Sequence, residues 1–325
     1  MGLKIAFIFN KFASFIEQDI KILTKDFDVY PVQYRNPMDI LTIASTVFNS
    51  DITFSWFAAG HAAIVVLVSK LFRKKSIVVV GGYEVWGGQS WIRQAITNFV
   101  LDYADLLLPV SEYTKLQCGT RENIEMLYNG IDTGRFCPSR PKENLVMTVA
   151  HTGKGEDVLE RKGINTFIKA ARQLSDVKFV VIGLSEEDLQ TARAKTLNNL
   201  TLLGHITDDE LLGFYQRAKV YCQLSQKESF GVAMAEAMSC ECVPVYVAGS
   251  ALDEVADDAG YCVPSNDVYA TISFIQIALN SDLGTNARKR IKKIFSANQR
   301  GERLRELIIS KICYRALCEK CGACR

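Results

Sequence analysis

Short apolar, β-branched runs alternate with longer amphipathic segments from one end of the chain to the other. In the first half the runs are Lys4–Phe9, Val29–Val32, Ile52–Ser55, Ser76–Val80, Leu106–Val110 and Ile124–Leu127. Each has the length and composition of a strand buried on both faces. Between them Phe15–Lys25, Met38–Val47, His61–Phe72, Trp91–Tyr103 and Glu112–Cys118 read as helices. The second half repeats the pattern. Its strands are Leu145–Ala150, Lys178–Ile182, Leu200–Leu203, Val220–Gln223, Val243–Tyr246 and Tyr261–Val263. Its helices are Lys162–Leu174, Asp208–Ala218, Val232–Ser239 and Val268–Leu279. Strand–helix alternation implies parallel sheets covered by helices on both faces. Two such arrays imply an α/β chain of two doubly wound, Rossmann-like domains. The proline-containing stretch Cys137–Lys142 marks the boundary, giving domains at 1–139 and 140–283 and a basic, helical C-terminal segment at 284–325. Parallel sheets bind ligands beyond the carboxyl ends of their strands, so two domains facing each other are expected to share a cleft.

A length of 325 residues fits two domains. The net charge of +2 argues against a dedicated nucleic-acid binder, which needs a strong basic excess. The apolar run Ile5–Phe9 is too short for a signal-peptide core and reads as a buried first strand. Ala58–Leu71 is interrupted by His61, Ser69 and Lys70 and is too short to span a bilayer. The expectation is a cytoplasmic protein, attached to a membrane surface at most. Of ten cysteines, six are scattered and read as reduced core residues, with Cys222 and Cys262 in strands.

The segment from Glu228 to Val245, ESFGVAMAEAMSCECVPV, carries the most chemistry. A strand ends near Gln223, a polar turn leads to Gly231, and a helix of small residues follows. The free N–H groups and the dipole of that helix start favour a diphosphate. Gly231 lets a ligand approach the backbone. Glu228 precedes the helix and Glu236 lies two turns into it, so their carboxylates are separated by on the order of 10 Å. One could grip sugar hydroxyls and the other ribose hydroxyls. Hydrogen bonds to an ionised acceptor are worth roughly 1.5–3 kcal/mol each. The same pattern also fits a plain helix with solvated glutamates.

Glu-x7-Glu, with Ser-Phe-Gly after the first glutamate, resembles the donor-site signature of family 4 glycosyltransferases. Further segments match in order: Ala104-Asp105 with Pro109-Val110-Ser111-Glu112, then Tyr128-Asn129-Gly130-Ile131-Asp132-Thr133 with Arg135-Phe136 and Pro138. Arg161-Lys162-Gly163-Ile164 and Leu203-Gly204-His205-Ile206 before Asp209-Glu210-Leu211 complete the set. The resemblance is close over about residues 100–300 and weak before them. It implies the GT-B fold, with two Rossmann-like domains facing a cleft and C-terminal helices returning toward the first. Residues 1–139 would be the acceptor side and 140–283 the donor-binding domain. The implied activity is transfer of a sugar from a nucleotide-diphosphate sugar (UDP, GDP or ADP) to a glycosyl acceptor, with retention of configuration and no catalytic metal. By the same resemblance Glu228 would hold hydroxyls of the transferred sugar and Glu236 the ribose. Phe230, Gly231 and Val232 would offer backbone amides. Arg161 and Lys162 would neutralise the diphosphate as leaving-group charge grows.

The sequence also departs from the family. Lys11-Phe12-Ala13-Ser14 replaces the usual glycine pair in the first loop, and Gly153-Lys154 stands where Gly-Arg is usual. Gly81-Gly82-Tyr83-Glu84 occupies the place of a histidine near the reacting carbon, leaving Glu84 either to act on the acceptor hydroxyl or to be part of a plain loop. His61 is a second site candidate or an ordinary helix-start histidine, and His205 could border the base pocket. Asp26-Phe27-Asp28 has the form of a metal-binding Asp-x-Asp but sits at a strand entry, away from the expected cleft.

Cys313, Cys318, Cys321 and Cys324 could hold zinc or part of an iron–sulfur cluster, or form a flexible reduced tail. The basic clusters Lys70–Lys75 and Arg288–Lys293, with Trp86 and Trp91, could bind an anionic membrane or be solvated helix faces. Two other readings stay open: a nucleotide-sugar epimerase or hydrolase on the same fold, and a non-catalytic nucleotide-binding relative.

Overall fold

The computed structural model describes residues 2–150, 158–193 and 197–312. The chain forms two compact units. One takes the chain up to Gly130 and again from Ala297; the other is Ile131–Ser296.

The first unit runs β1 (Lys4–Phe9), α1 (Ser14–Leu23), β2 (Asp28–Gln33), α2 (Asp39–Phe48), β3 (Ile52–Trp56), α3 (Gly60–Leu71), β4 (Lys75–Val80), α4 (Trp91–Tyr103), β5 (Leu106–Pro109) and α5 (Glu112–Gln117). Its five strands are parallel, in the order β2-β1-β3-β4-β5, with Ile5 opposite both Val29 and Ile52. The central strands are buried on both faces because helices cover both. Ile43 and Val47 of α2, Val65 and Val66 of α3 and Val100 of α4 pack on Ala6, Ile8, Val78 and Val80. From the sheet, Phe7 and Phe54 stack at 5.0 Å. Ser111 starts α5 by accepting a hydrogen bond from the Thr114 amide.

The second unit runs β6 (Glu143–Val149), α6 (Val158–Arg161), α7 (Ile164–Gln173), β7 (Lys178–Ile182), α8 (Glu186–Arg193), β8 (Leu200–Leu202), α9 (Asp208–Arg217), β9 (Ala218–Gln223), α10 (Val232–Ser239), β10 (Val243–Val247), α11 (Ala251–Ala256), β11 (Tyr261–Val263), α12 (Val268–Leu279) and α13 (Leu283–Ile294). Its six strands are parallel, in the order β11-β10-β9-β6-β7-β8. The core joins Val146, Phe179, Val220 and Val245 of the sheet to Phe167 of α7 and Ile275 of α12. Thr207 and Glu210 close a reciprocal capping box at the start of α9.

The expected alternation is present in both units, and the differences have local causes. Ile124–Leu127 is no strand. Leu107 and Ile124 form an isolated bridge, and Pro109 has no N–H to continue the ladder. The helix expected from Lys162 starts at Ile164, because Gly163 is left-handed with φ 68°. Helix α8 is too polar, and α11 too short, to show an apolar period. Cys222 is buried as expected, but Cys262 is exposed because β11 is an edge strand.

The units also divide elsewhere than at 139/140. Residues 131–139 are anchored within the second unit. Phe136 meets Tyr215 at 6.1 Å, and its carbonyl accepts from Ser239 Oγ at 2.6 Å and from Arg288 Nη1 at 3.1 Å. The C-terminal segment is likewise shared. Helix α13 packs on α10 and β10, whereas α14 (Ala297–Leu307) packs on α1 in the first unit. Two of the five cations of the expected basic cluster at Arg288–Lys293 are therefore structural. Arg290 donates to the carbonyls of Val255 and Glu254 and pairs with Asp257, and Arg288 donates to the Ser239 carbonyl.

A buried ion pair fixes α14. Arg300 donates to both oxygens of Asp19 on α1, at 2.6 and 2.7 Å, and both residues are nearly inaccessible. Trp56 Nε1 gives Asp19 a third bond at 2.9 Å, and the guanidinium also reaches the carbonyls of Leu127 and Tyr128. Both Asp19 oxygens and all three guanidinium nitrogens thus have partners, which is the condition for such a pair to persist in a low-dielectric interior. Arg300→Met strands the Asp19 charge. The expected loss of stability is about 3–5 kcal/mol, read from the denaturant midpoint. A midpoint equal to that of the wild type would show that α14 is held by apolar contacts alone.

Candidate functional site

In the second unit β9 delivers its last residue, Gln223, to the carboxyl edge of the sheet, and the turn to α10 follows. Tyr221, buried in β9, donates its hydroxyl to Gln223 Oε1 at 3.0 Å. Gln223 Nε2 then donates to Ser225 Oγ at 2.9 Å and to Glu228 Oε1 at 3.1 Å. Burial and the charge of Glu228 hold the Tyr221 hydroxyl far above its usual range, so it stays a donor. Glu228 is thus aimed by a relay that starts in the core. Of this relay the sequence shows only a polar Gln223 closing an apolar strand.

Lys162 closes on the same carboxylate, its Nζ 2.6 Å from Glu228 Oε1, with both side chains mostly buried. A close backbone approach makes this possible. Gly163 caps α7 in the left-handed region, and a β-carbon there would lie 2.4 Å from the Leu224 carbonyl oxygen. The Gln226 amide also donates to the Arg161 carbonyl at 3.1 Å. The turn holding Arg161 and Lys162 is therefore clamped onto the turn holding Glu228.

Gly231 caps α10 with φ 82°, and an added β-carbon would strike Leu252 Cδ2 at 2.5 Å. Val232, Ala233 and Met234 follow in the first helical turn, where amides lack an upstream intrahelical acceptor. The Phe230 side chain is not at the surface. It is buried edge-on against Phe295 at 5.5 Å, so only its backbone can serve a ligand. Glu236 is buried two turns on and accepts from Tyr215 Oη at 3.2 Å. Desolvation raises its pKa from 4.5 to about 8, only partly offset by the Tyr215 bond. Tyr215 comes from α9 and had no recognisable signal in the sequence. His205 is exposed on the loop before α9. Gly153 and Lys154 lie outside the described residues, as do Cys313, Cys318, Cys321 and Cys324.

The first unit places Glu84 and His61 differently. Glu84 is buried beyond the end of β4, where its Oε1 accepts from the amides of Ala58 at 3.1 Å and Gly81 at 2.8 Å. It ties the loop after β3 to the loop after β4, and burial still raises its pKa. It borders a pocket of about 560 Å³, also lined by Asn10, Lys11, Phe57, Gly60 and Arg93. His61 is buried at the start of α3, with Nε2 2.6 Å from the Trp56 carbonyl. That ring nitrogen donates, and burial lowers the pKa, so the ring is neutral near pH 7. His61 is not among the residues lining that pocket. Asp28 begins β2.

Residues 142–295 match the family of glycosyl transferases group 1. Over that segment the chain is similar to the group 1 glycosyl transferases. An 81-residue stretch is 38% identical to O-antigen chain mannosyltransferase B of Escherichia coli, covering 25% of this chain and 21% of that protein. The match thus spans about a fifth of the relative's length. Among solved structures, Anabaena HepE in complex with UDP-glucose superposes with a TM-score of 0.81 at 15% identity, covering 95% of this chain and 100% of that one. Sucrose-phosphate synthase from Thermosynechococcus elongatus gives 0.72 at 16% identity, covering 95% and 100%. The shared architecture is the GT-B fold. The group 1 segment contains Lys162, Glu228, Gly231 and Glu236, all four described above.

The raised pKa of Glu236 has a definite sign. The folded domain holds a proton that the unfolded chain releases near pH 4.5, so stability is full below that value. It declines as pH rises through about 8. Glu236→Gln removes the titration. Its melting temperature should fall less than that of the wild type between pH 5 and 9, and parallel curves would contradict the assignment. Gly163→Ala should both destabilise the second unit and disturb the Lys162–Glu228 pair; an unaltered melting temperature would show that the loop yields freely.

Proposed function

We propose that the chain is a retaining glycosyltransferase, moving a sugar from a nucleotide-diphosphate sugar to a glycosyl acceptor. The observation that carries this reading is the Lys162–Glu228 pair beside the start of α10. It sets a cation, a carboxylate and a helix N-terminus together at the carboxyl edge of a parallel sheet, where such folds bind ligands. The second unit is the donor side and the first the acceptor side. HepE was crystallised with UDP-glucose, which supports a nucleotide sugar as donor here.

In this reading the diphosphate shares the Lys162 ammonium with Glu228 and faces Arg161 and the first amides of α10. Charge grows on the leaving phosphate as the glycosidic bond breaks. These groups are already oriented and stabilise that charge more than the bound substrate. Glu228, held by Gln223 and Lys162, accepts hydrogen bonds from hydroxyls of the transferred sugar. Glu236 faces the ribose; protonated near neutral pH, it can donate to one hydroxyl and accept from another. Phe230, Gly231 and Val232 contribute backbone only. The leaving phosphate takes the acceptor's proton on the face it departs from, so configuration is retained without a carboxylate nucleophile.

An epimerase or hydrolase would need an acid–base pair beside the sugar. Glu84 Oε1 is taken by backbone amides and His61 Nε2 by a carbonyl; Glu84 Oε2 is buried without a hydrogen-bond partner, but His61 does not line the pocket that Glu84 borders, so the two form no acid–base pair there. Their geometry favours the transferase. A non-catalytic relative would have no need of an intact Tyr221–Gln223–Glu228–Lys162 chain.

A thermal-shift panel of UDP-, GDP- and ADP-sugars tests donor binding, because a ligand that binds only the folded state raises its melting temperature. At least one should do so, and no shift with any would overturn the reading. Glu228→Ala should lower turnover by about 10²-fold or more with nucleotide affinity largely kept. Lys162→Ala should weaken nucleoside-diphosphate binding measured by calorimetry. Turnover or affinity equal to the wild type would remove the corresponding role.

A further inference from the structure

Helices α2 and α3 of the first unit pack side by side, and their outer faces carry large apolar side chains turned to solvent. Met38, just before α2, and Leu41 and Phe48 within it are 83, 80 and 61% exposed; Leu67 and Leu71 of α3 are 63 and 75% exposed. The spacing explains the placement. Positions 41, 45 and 48 form one stripe of α2, and 67, 70 and 71 one stripe of α3. Both helices already bury a different stripe in the core, namely Ile43 and Val47 on α2 and Val65 and Val66 on α3. The outer residues are therefore surplus to folding. Phe48 and Phe72 meet edge to face at 5.2 Å, which joins the two stripes at the helix ends.

Cations crowd the same end. After Leu71 the chain reads Phe72-Arg73-Lys74-Lys75, and Lys70 precedes it. Helix α3 stops with Arg73 in the left-handed region at φ 54°, and the Lys74 amide returns to the Ser69 carbonyl at 2.8 Å. The basic turn is thus fixed beside Leu71. Of the carboxylates on these elements, Asp105 pairs with Lys70 and Lys75, whereas Asp39, at the opposite end of α2 from Phe48, and Asp51 accept backbone amides, which cancel no charge. Among the described residues neither Arg73 nor Lys74 forms an ion pair.

We infer that this face of α2 and α3 seats the first unit on an anionic lipid bilayer. Phe48, Leu67 and Leu71 enter the boundary between headgroups and acyl chains, while Arg73, Lys74 and the Lys70 pair meet headgroup phosphates. Apolar side chains flanked by unopposed cations are what an anionic interface selects. A second copy of this chain would bring an equally basic edge against this one. No described helix is long and apolar enough to cross a membrane, so contact here would be with the surface. The inference does not depend on the transferase reading.

Sedimentation of the full chain with large unilamellar vesicles tests it. The chain should pellet with phosphatidylcholine vesicles containing phosphatidylglycerol and much less with pure phosphatidylcholine. Arg73→Glu/Lys74→Glu should lower anionic-vesicle binding by at least roughly 25-fold, about five-fold for each cation lost. Leu67→Ser/Leu71→Ser should lower it by more than about ten-fold. All four side chains lie outside the core, so melting temperatures should hold; Leu71→Ser alone serves if the double variant folds poorly. A wild type that stays in the supernatant, or variants that bind like it, would overturn the inference. So would a wild-type dimer in sedimentation velocity that Leu71→Asp dissociates, since a second copy would then cover the face.

Discussion

The backbone of Gly163 lies so near the carbonyl of Leu224 that no β-carbon fits between them. That contact joins the turn before α7 to the turn after β9. These turns are separated by some sixty residues and two further strands, so only the sheet brings them together. Lys162 reaches Glu228 because Gly163 is bare, and Glu228 is correctly aimed because Gln223 and Tyr221 hold it from within the core. Without the contact the cation and carboxylate would be two solvated surface charges of little consequence. With it they are mostly buried and mutually fixed.

The two glycines of the site serve one end. Gly163 and Gly231 are both left-handed helix caps, and both would clash if given a side chain. Each lets a helix begin close to the carboxyl edge of the sheet. Glu236 then sits deep enough in α10 for its ordinary acidity to be lost. The site thus combines one carboxylate paired with a cation and another whose pKa burial raises to about 8.

In the first unit comparable precision is spent on holding the fold. Asp19 and Arg300 are buried and paired through two hydrogen bonds, and they bind the returning α14 to α1. Glu84 and His61 use backbone partners to shape the loops after β3 and β4. Polar residues near a pocket are therefore not all alike. An oxygen held by amides positions a loop, whereas one paired with a side-chain ammonium can exchange partners with a ligand.

The alternation of apolar runs and amphipathic segments was sufficient to determine two parallel, helix-covered sheets, because burial on both faces leaves a mark at every strand position. Glu228, Gly231 and Glu236 could be named as candidates from the sequence, since they lie within one short segment whose order survives in one dimension. Tertiary structure alone decided the rest. Tyr215 on Glu236, Gln223 on Glu228 and Arg300 on Asp19 join residues through space or through a burial that no local period reveals. The division of the chain at Gly130/Ile131 followed from where Phe136 packs and not from the proline-rich stretch beyond it. Sequence records which residues tend to be inside; which of them touch is set by how the sheets stack their neighbours.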